Sequence, residues 1–253
     1  MSASSDLAEI ASWIRDANRV VVLTGAGIST ESGIPDFRGP QGVWTRNPEA
    51  EKMATIQYYM SDPEIRKRAW RMRADHEAWS AEPNAGHVAL AELERKGKLH
   101  ALVTQNVDGL HQAAGSSSDR IVEIHGTMRE VMCMSCGERA RMERALDRVR
   151  AGEEDPPCRT CGGILKSATI SFGQNLVPED LERSFASAAG ADLFLAIGTS
   201  LVVYPVADLP RVALEAGARL VILNAEETPY DRLASAVIRD RIGEVLPKIV
   251  DLA

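Results

Sequence analysis

The chain has 253 residues, of which 45% are hydrophobic and 26% charged, and its formal net charge is −7. That length can bury a large core, as one big domain or two, and the composition is ordinary for a soluble globular protein. The acidic balance argues against a nucleic-acid partner, and no apolar stretch is long enough to span a bilayer. The opening residues, MSASSDLAEI, lack a basic region followed by an apolar core. A cytoplasmic protein is therefore expected, with its four cysteines reduced and in need of a reason other than disulfides.

Residues 7–18 carry apolar side chains at a helical period and lead into the apolar run Val20 to Leu23, which reads as a buried parallel strand. The run ends in Thr24-Gly25-Ala26-Gly27. Glycines here let backbone come close to a phosphate, and Ser29 and Thr30 are candidate N-caps. The dinucleotide fingerprint is incomplete, because Thr30 stands at the third glycine, so a tight turn without a ligand is an equal alternative. Residues 33–40, GIPDFRGP, then break the expected crossover helix with a loop.

Residues 49–80 carry mixed helix signals, including an Asp62-Pro63-Glu64 start. They read as a helical insertion near a cleft. Arg66, Lys67, Arg68, Arg71 and Arg73 cluster in it, and a solvated helix face is the plain reading of that cluster. Residues 87–96 form an amphipathic helix ended by Gly97. Residues 99–104 are a second strand, ending in Gln105-Asn106-Val107-Asp108-Gly109-Leu110-His111, more polar groups than a cap needs. Residues 121–124 repeat the device and deliver His125, whose ordinary pKa suits general base work.

Cys133-x-x-Cys136 and Cys158-x-x-Cys161 are two CxxC pairs about twenty residues apart, the spacing of a zinc site. The set leaves no open ligand position, so the zinc is expected to be structural. Residues 165–172 are expected as a strand, residues 178–189 as a helix, and residues 192–197 as a buried strand into Gly198-Thr199-Ser200, a turn fit for phosphate or ribose. A helix over 210–216, strands over 219–223 and 236–239 and a helix over 242–252 complete the chain. Strands alternating with helices and ending in small or polar residues describe an α/β fold: a doubly wound, Rossmann-like parallel sheet. A smaller zinc-binding and helical domain is inserted into it. The expected division is 1–40, 84–126 and 166–253 for the sheet domain, 41–83 for the helical insertion and 127–165 for the zinc ribbon.

Taken together and in order, GAGIS at 25–29, GIPDFRG at 33–39, TQNVDGLH at 104–111, HG at 125–126, the paired CxxC motifs and GTSL at 198–201 resemble the sirtuins, in their bacterial type. Sirtuins are NAD-dependent protein-lysine deacylases, and the resemblance covers nearly the whole chain. It implies cleavage of the nicotinamide–ribose bond of NAD, with transfer of an acyl group, most simply acetyl, from lysine to give O-acyl-ADP-ribose. It places His125 as the base, Asn106 and Asp108 at the nicotinamide and Gln105 at the ribose. Phe37 covers the ribose, and Asp36 and Arg38 lie in the loop over the cofactor. Gly25, Ala26, Gly27, Ile34, Trp44, Val107, Gly198, Thr199, Ser200, Asn224, Ala225, Glu226 and Ile242 complete the implied NAD contacts. Phe172, Gly173 and Val202 are the implied lining of an acyl-lysine groove, where substrate backbone adds as a strand.

Gln174 stands where many sirtuins have Glu, which is expected to affect the groove and not catalysis. The subgroup that removes succinyl groups has a Tyr and an Arg three residues apart; Trp70 and Arg73 are the nearest candidates here, and Trp70 lacks the phenol. GPQGVW at 39–44 resembles members that favour long-chain acyl groups. Mono-ADP-ribosyl transfer and a zinc-ribbon module without turnover are the competing readings, and the presence of Asn106, Asp108 and His125 argues against the second. The expected partners are acylated proteins or peptides, with no membrane and no direct nucleic-acid binding; the oligomeric state is not legible.

Overall fold

In the computed structural model, which describes residues 3–36, 39, 42 and 50–253, the apolar runs become the strands of one parallel sheet. These are β1 (Val20–Thr24), β2 (Leu99–Thr104), β3 (Ile121–Glu123), β7 (Leu193–Ile197), β8 (Arg219–Leu223) and β9 (Ala236–Ile238). Their order is β3-β2-β1-β7-β8-β9, so the chain turns outward in both directions from the β1/β7 pair. Ligand crevices of open α/β sheets form at such a reversal, beyond the carboxyl ends of the strands.

Helices cover both faces, which is why the strands are apolar on both sides. Val20 and Val22 of β1 point to a core shared with α1 (Ala3–Asp16), α5 (Ala85–Arg95) and α10 (Ile242–Leu252), through Ile10, Ile14, Leu90, Leu93, Leu246 and Ile249. Val21 and Leu23 point to the opposite core, with α8 (Pro178–Ala189) and α9 (Leu209–Glu215), through Ala188, Leu209 and Ala213.

The remaining strands, β4 (Gly126–Cys133), β5 (Arg139–Arg141) and β6 (Leu165–Thr169), form a separate antiparallel sheet in the order β5-β4-β6. It packs with α7 (Glu143–Arg150) and with a helical group, α2 (Ala50–Met53), α3 (Ile56–Ser61) and α4 (Pro63–Ala74). A short helix, α6 (Leu110–Ala113), follows the β2 turn. The expected strand over 165–172 thus ends at Thr169 and belongs to the small sheet. Phe172 lies beyond it, bridged to Thr55.

The expected caps at Ser29 and Thr30 are corrected as well. The segment after β1 is a 3-10 helix, Ala26–Ser32, with Gly25 at its N-cap, so both residues lie inside it. Among the described residues no helix is long and apolar enough to cross a membrane.

Candidate active site

The turns after β1, β2 and β7 meet at the carboxyl edge of the sheet. Gly25 and Gly27 are required there by the protein itself. A Cβ on Gly25 would lie 2.7 Å from the Gly198 carbonyl oxygen, and one on Gly27 would lie 2.7 Å from the Gly198 Cα. Gly198 is left-handed at φ 61°, and its own Cβ would sit 2.4 Å from the Ile28 nitrogen. The bare backbones therefore lock the two turns together. Gln105 extends the lock, its Nε2 donating to Thr199 Oγ1 at 2.8 Å. Ser200 follows, half-buried.

Beneath these turns lies a buried polar network. Ser29 Oγ is its hub: it donates to Asp108 Oδ2 at 2.8 Å and accepts from Asn106 Nδ2 at 3.1 Å. His87 Nε2 lies 3.5 Å from the same oxygen. Asn106 Nδ2 also donates to the Gly25 carbonyl at 3.0 Å, while Asp108 Oδ1 accepts from the Leu110 amide at 2.9 Å. Both Asn106 amide protons are thus used within the protein. Val107, between them, accepts from the Met128 amide at 2.9 Å.

His125 lies just past β3, half-buried, with Nδ1 3.1 Å from the Gln105 carbonyl oxygen. A carbonyl only accepts, so Nδ1 carries the proton and Nε2 keeps its lone pair. Burial lowers the pKa of His125, and the Gln105 hydrogen bond opposes this in part. The imidazole is therefore neutral near pH 7 and oriented as a base.

The Sir2 family profile matches residues 25–205. The chain belongs to the Sir2 family. It is 56% identical to NAD-dependent protein deacetylase 2 of Streptomyces coelicolor over 91% of this chain and 96% of that one. Among solved structures, it is similar to Sir2 with a p53 peptide and NAD+ (TM-score 0.86, 35% identity, 96% of each chain covered). A Sir2 variant with a deacetylated p53 peptide and 3'-O-acetyl ADP ribose gives TM-score 0.89 and 34% identity, over 97% of this chain and 98% of that one.

The rest of the Sir2 chain falls into place around this centre. Ile34 and Asp36 lie in the loop after the 3-10 helix, Ile34 donating to the Ser29 carbonyl at 3.3 Å and Asp36 Oδ1 accepting from the Gly39 amide at 2.8 Å. Phe37, Arg38 and Trp44 lie outside the described residues. Past β8, Asn224 Nδ2 donates to the Glu226 carbonyl at 2.9 Å, with Ala225 exposed between them, and Ile242 opens α10. Phe172 and Val202 are exposed apolar side chains, and Gly173 is left-handed at φ 79°. Both backbone groups of Phe172 are engaged, the amide with Ala54 at 2.8 Å and the carbonyl with Ile56 at 3.0 Å.

The four cysteines converge as their spacing predicts, all Sγ atoms within 4.8 Å of one another. Cys133 and Cys161 sulfurs are 3.5 Å apart and Cys136 and Cys158 sulfurs 3.8 Å. A tetrahedron of Zn–S bonds of about 2.3 Å has edges of about 3.8 Å, so the set fits zinc. The Cys136 and Ser135 amides donate to the Cys133 sulfur at 3.5 and 3.4 Å and favour its thiolate. Cys133 and Cys158 share a hydrophobic cluster with Trp70, Val131, Met142 and Leu146, apart from His125, as a structural site requires.

Trp70 is fully buried in that cluster. The basic cluster on α4 is a solvated face only in part, with Arg68 and Arg71 exposed and Arg66 turned inward. Arg66 is buried and pairs with Asp155 at 2.8 Å, while Lys67 pairs with Glu64 at 2.8 Å and Arg71 with Glu154 at 3.1 Å. Sequence reasoning missed Ser29 as a hub, along with His87, Thr24 and Thr104. The last two sit opposite each other at the ends of β1 and β2, bonded at 2.8 Å. Two polar residues closing two apolar runs were the available signal.

Proposed function

We propose that this Sir2 chain removes acyl groups, acetyl first among them, from protein lysine with consumption of NAD, and that His125 is its general base. The observation that carries the reading is the His125 geometry. Nδ1 is committed to the Gln105 carbonyl, so a basic Nε2 is available at the sheet edge. NAD, when bound, would supply an electrophilic ribose carbon with nicotinamide as its leaving group. Asn106, held by Gly25 and Ser29, offers its carbonyl oxygen to the nicotinamide amide. Asp108, held by Ser29 and Leu110, fixes the pocket wall. His125 Nε2 would take up the proton of a ribose hydroxyl, freeing that oxygen for the acyl carbon, from which the lysine amine would depart. Gly25, Ala26, Gly27, Gly198, Thr199 and Ser200 form the phosphate and ribose side, and Asn224, Ala225, Glu226 and Ile242 the adenosine side. Gly173 and Val202 line the acyl-lysine groove, and the protein acts in the cytoplasm.

The test is mass spectrometry of acetyl-, succinyl- and myristoyl-lysine peptides with and without NAD. Acetyl loss is expected only with NAD, with nicotinamide and O-acetyl-ADP-ribose as products. His125→Ala should slow it by roughly 100-fold or more, the usual contribution of a positioned base. Nicotinamide release without deacylation would move the reading to ADP-ribosyl transfer.

One observation favours a second acyl preference. Arg73 lies over the Trp70 and Tyr59 rings, at 5.3 and 5.5 Å, and its Nη1 is buried without a hydrogen-bond partner. An acidic acyl chain would satisfy that donor. The succinyl peptide in the same experiment decides this, with Arg73→Met expected to reduce only its turnover.

A further inference from the structure

Lys166 is an unexpected residue for its place. It sits on β6 between the buried Leu165 and Ser167, and it is itself 1% exposed. Among the described residues no carboxylate pairs with it, and its charged neighbour is another cation, Arg73. Burial, and then Arg73, push its pKa down to about 7. An apolar residue would avoid that desolvation. What the lysine does make is two hydrogen bonds from Nζ, to the carbonyls of Ser167 and Thr169.

Those carbonyls lie where the small sheet fails. Gly126 pairs with Thr169 and Val131 pairs with Ser167, so five steps along β4 face two along β6. The ladder is broken over this stretch and cannot fix its course. Directly after it, the Ile170 amide donates to the His125 carbonyl at 2.7 Å. The contact is tight, since a Cβ on Gly126 would sit 2.1 Å from the Ala168 carbonyl oxygen. The backbone of His125-Gly126 therefore rests on residues 168–170.

We propose that Lys166 is a positioning residue for His125: its buried Nζ holds the 167–169 backbone, which presents the Ile170 amide to the His125 carbonyl. A neutral amine still has two N–H donors, so the link holds in either protonation state. The inference rests on the reading of His125 as the base that acts after nicotinamide has left.

The test compares two rates in one protein with an acetyl-lysine peptide: exchange of labelled nicotinamide into NAD, which precedes the base step, and deacylation, which follows it. Their ratio is independent of how much of the sample is folded. Lys166→Met keeps the length of the side chain without its donors, and should lower the ratio of deacylation to exchange about tenfold. Lys166→Arg, with donors restored, should return it to within about threefold of the wild type. An unchanged ratio in Lys166→Met would overturn the proposal, as would a Lys166→Arg variant no better than Lys166→Met. His125→Ala is the control. If it kept the wild-type ratio, the base assignment itself would fail, whatever Lys166 does.

Discussion

Two buried histidines beside the polar hub set how the protein meets acid. Thr24 Oγ1 gives its proton to Thr104 Oγ1, so His111 Nε2, 3.0 Å away, must donate to Thr24. His111 Nδ1 is then a bare lone pair, buried without a partner. Burial, then the neighbouring His87, push the His111 pKa down to about 3, and burial pushes His87 down to about 4 against the pull of Asp108. Both lie below the unfolded value of about 6.5, so between about pH 6.5 and 3 the unfolded chain binds more protons. Their contribution is full above 6.5 and is lost as pH falls, each costing about 2 kcal/mol at pH 5. Denaturant titrations at pH 7 and pH 5 should show that loss, and His111→Gln should remove about half of it. An equal loss in the variant would show that His111 is not its source. Asn106, Asp108 and His125 were legible in the sequence through the family motifs. The role of Ser29 was not, because a serine after a glycine turn reads locally as a cap. Its partners Asp108 and Asn106 are 79 and 77 residues away.

At the scale of elements, the parallel strands were legible because both their faces are buried and their apolar runs are unbroken. β4 was missed for the opposite reason. Its burial alternates irregularly across a bulge, and Arg129 and Glu130 sit within it, so no period of two survives. The glycine turns were found, but one reason for them was not. Gly25, Gly27 and Gly198 let β1 and β7 turns touch, which no single turn's sequence can show. Gly198→Ala should therefore damage the fold before it affects any ligand. Its left-handed backbone and a Cβ 2.4 Å from the Ile28 nitrogen should together cost roughly 2–5 kcal/mol. A thermal melt of the ligand-free protein reads this directly. A variant with wild-type stability and weakened NAD binding would mean that the glycine serves the ligand after all.

For the whole molecule, the open question is what ties the zinc-bearing sheet to the helical group. The sequence assigned both insertions to one small domain but not the contacts that join them, since the groups that make those contacts lie far apart in the chain. Arg66 and Asp155 are 89 residues apart, and their side chains are only 10% and 23% exposed. Asp155 lies in the loop before the second cysteine pair, and Trp70, one turn along α4 from Arg66, packs with Cys133 and Cys158. The ion pair and the metal thus hold the same joint from two sides. Asp155→Asn leaves the buried guanidinium with its bonds to the Tyr59 and Met60 carbonyls but without a counter-charge. Breaking a buried pair costs about 3–5 kcal/mol, and the partial exposure of Asp155 reduces this to about 1–3 kcal/mol. The loosened loop should surrender zinc faster to a chelator. Zinc loss should in turn shift the Trp70 fluorescence to the red, a signal that Trp70→Phe removes. Wild-type chelation kinetics in Asp155→Asn would mean that the metal holds the joint alone, with the ion pair a bystander.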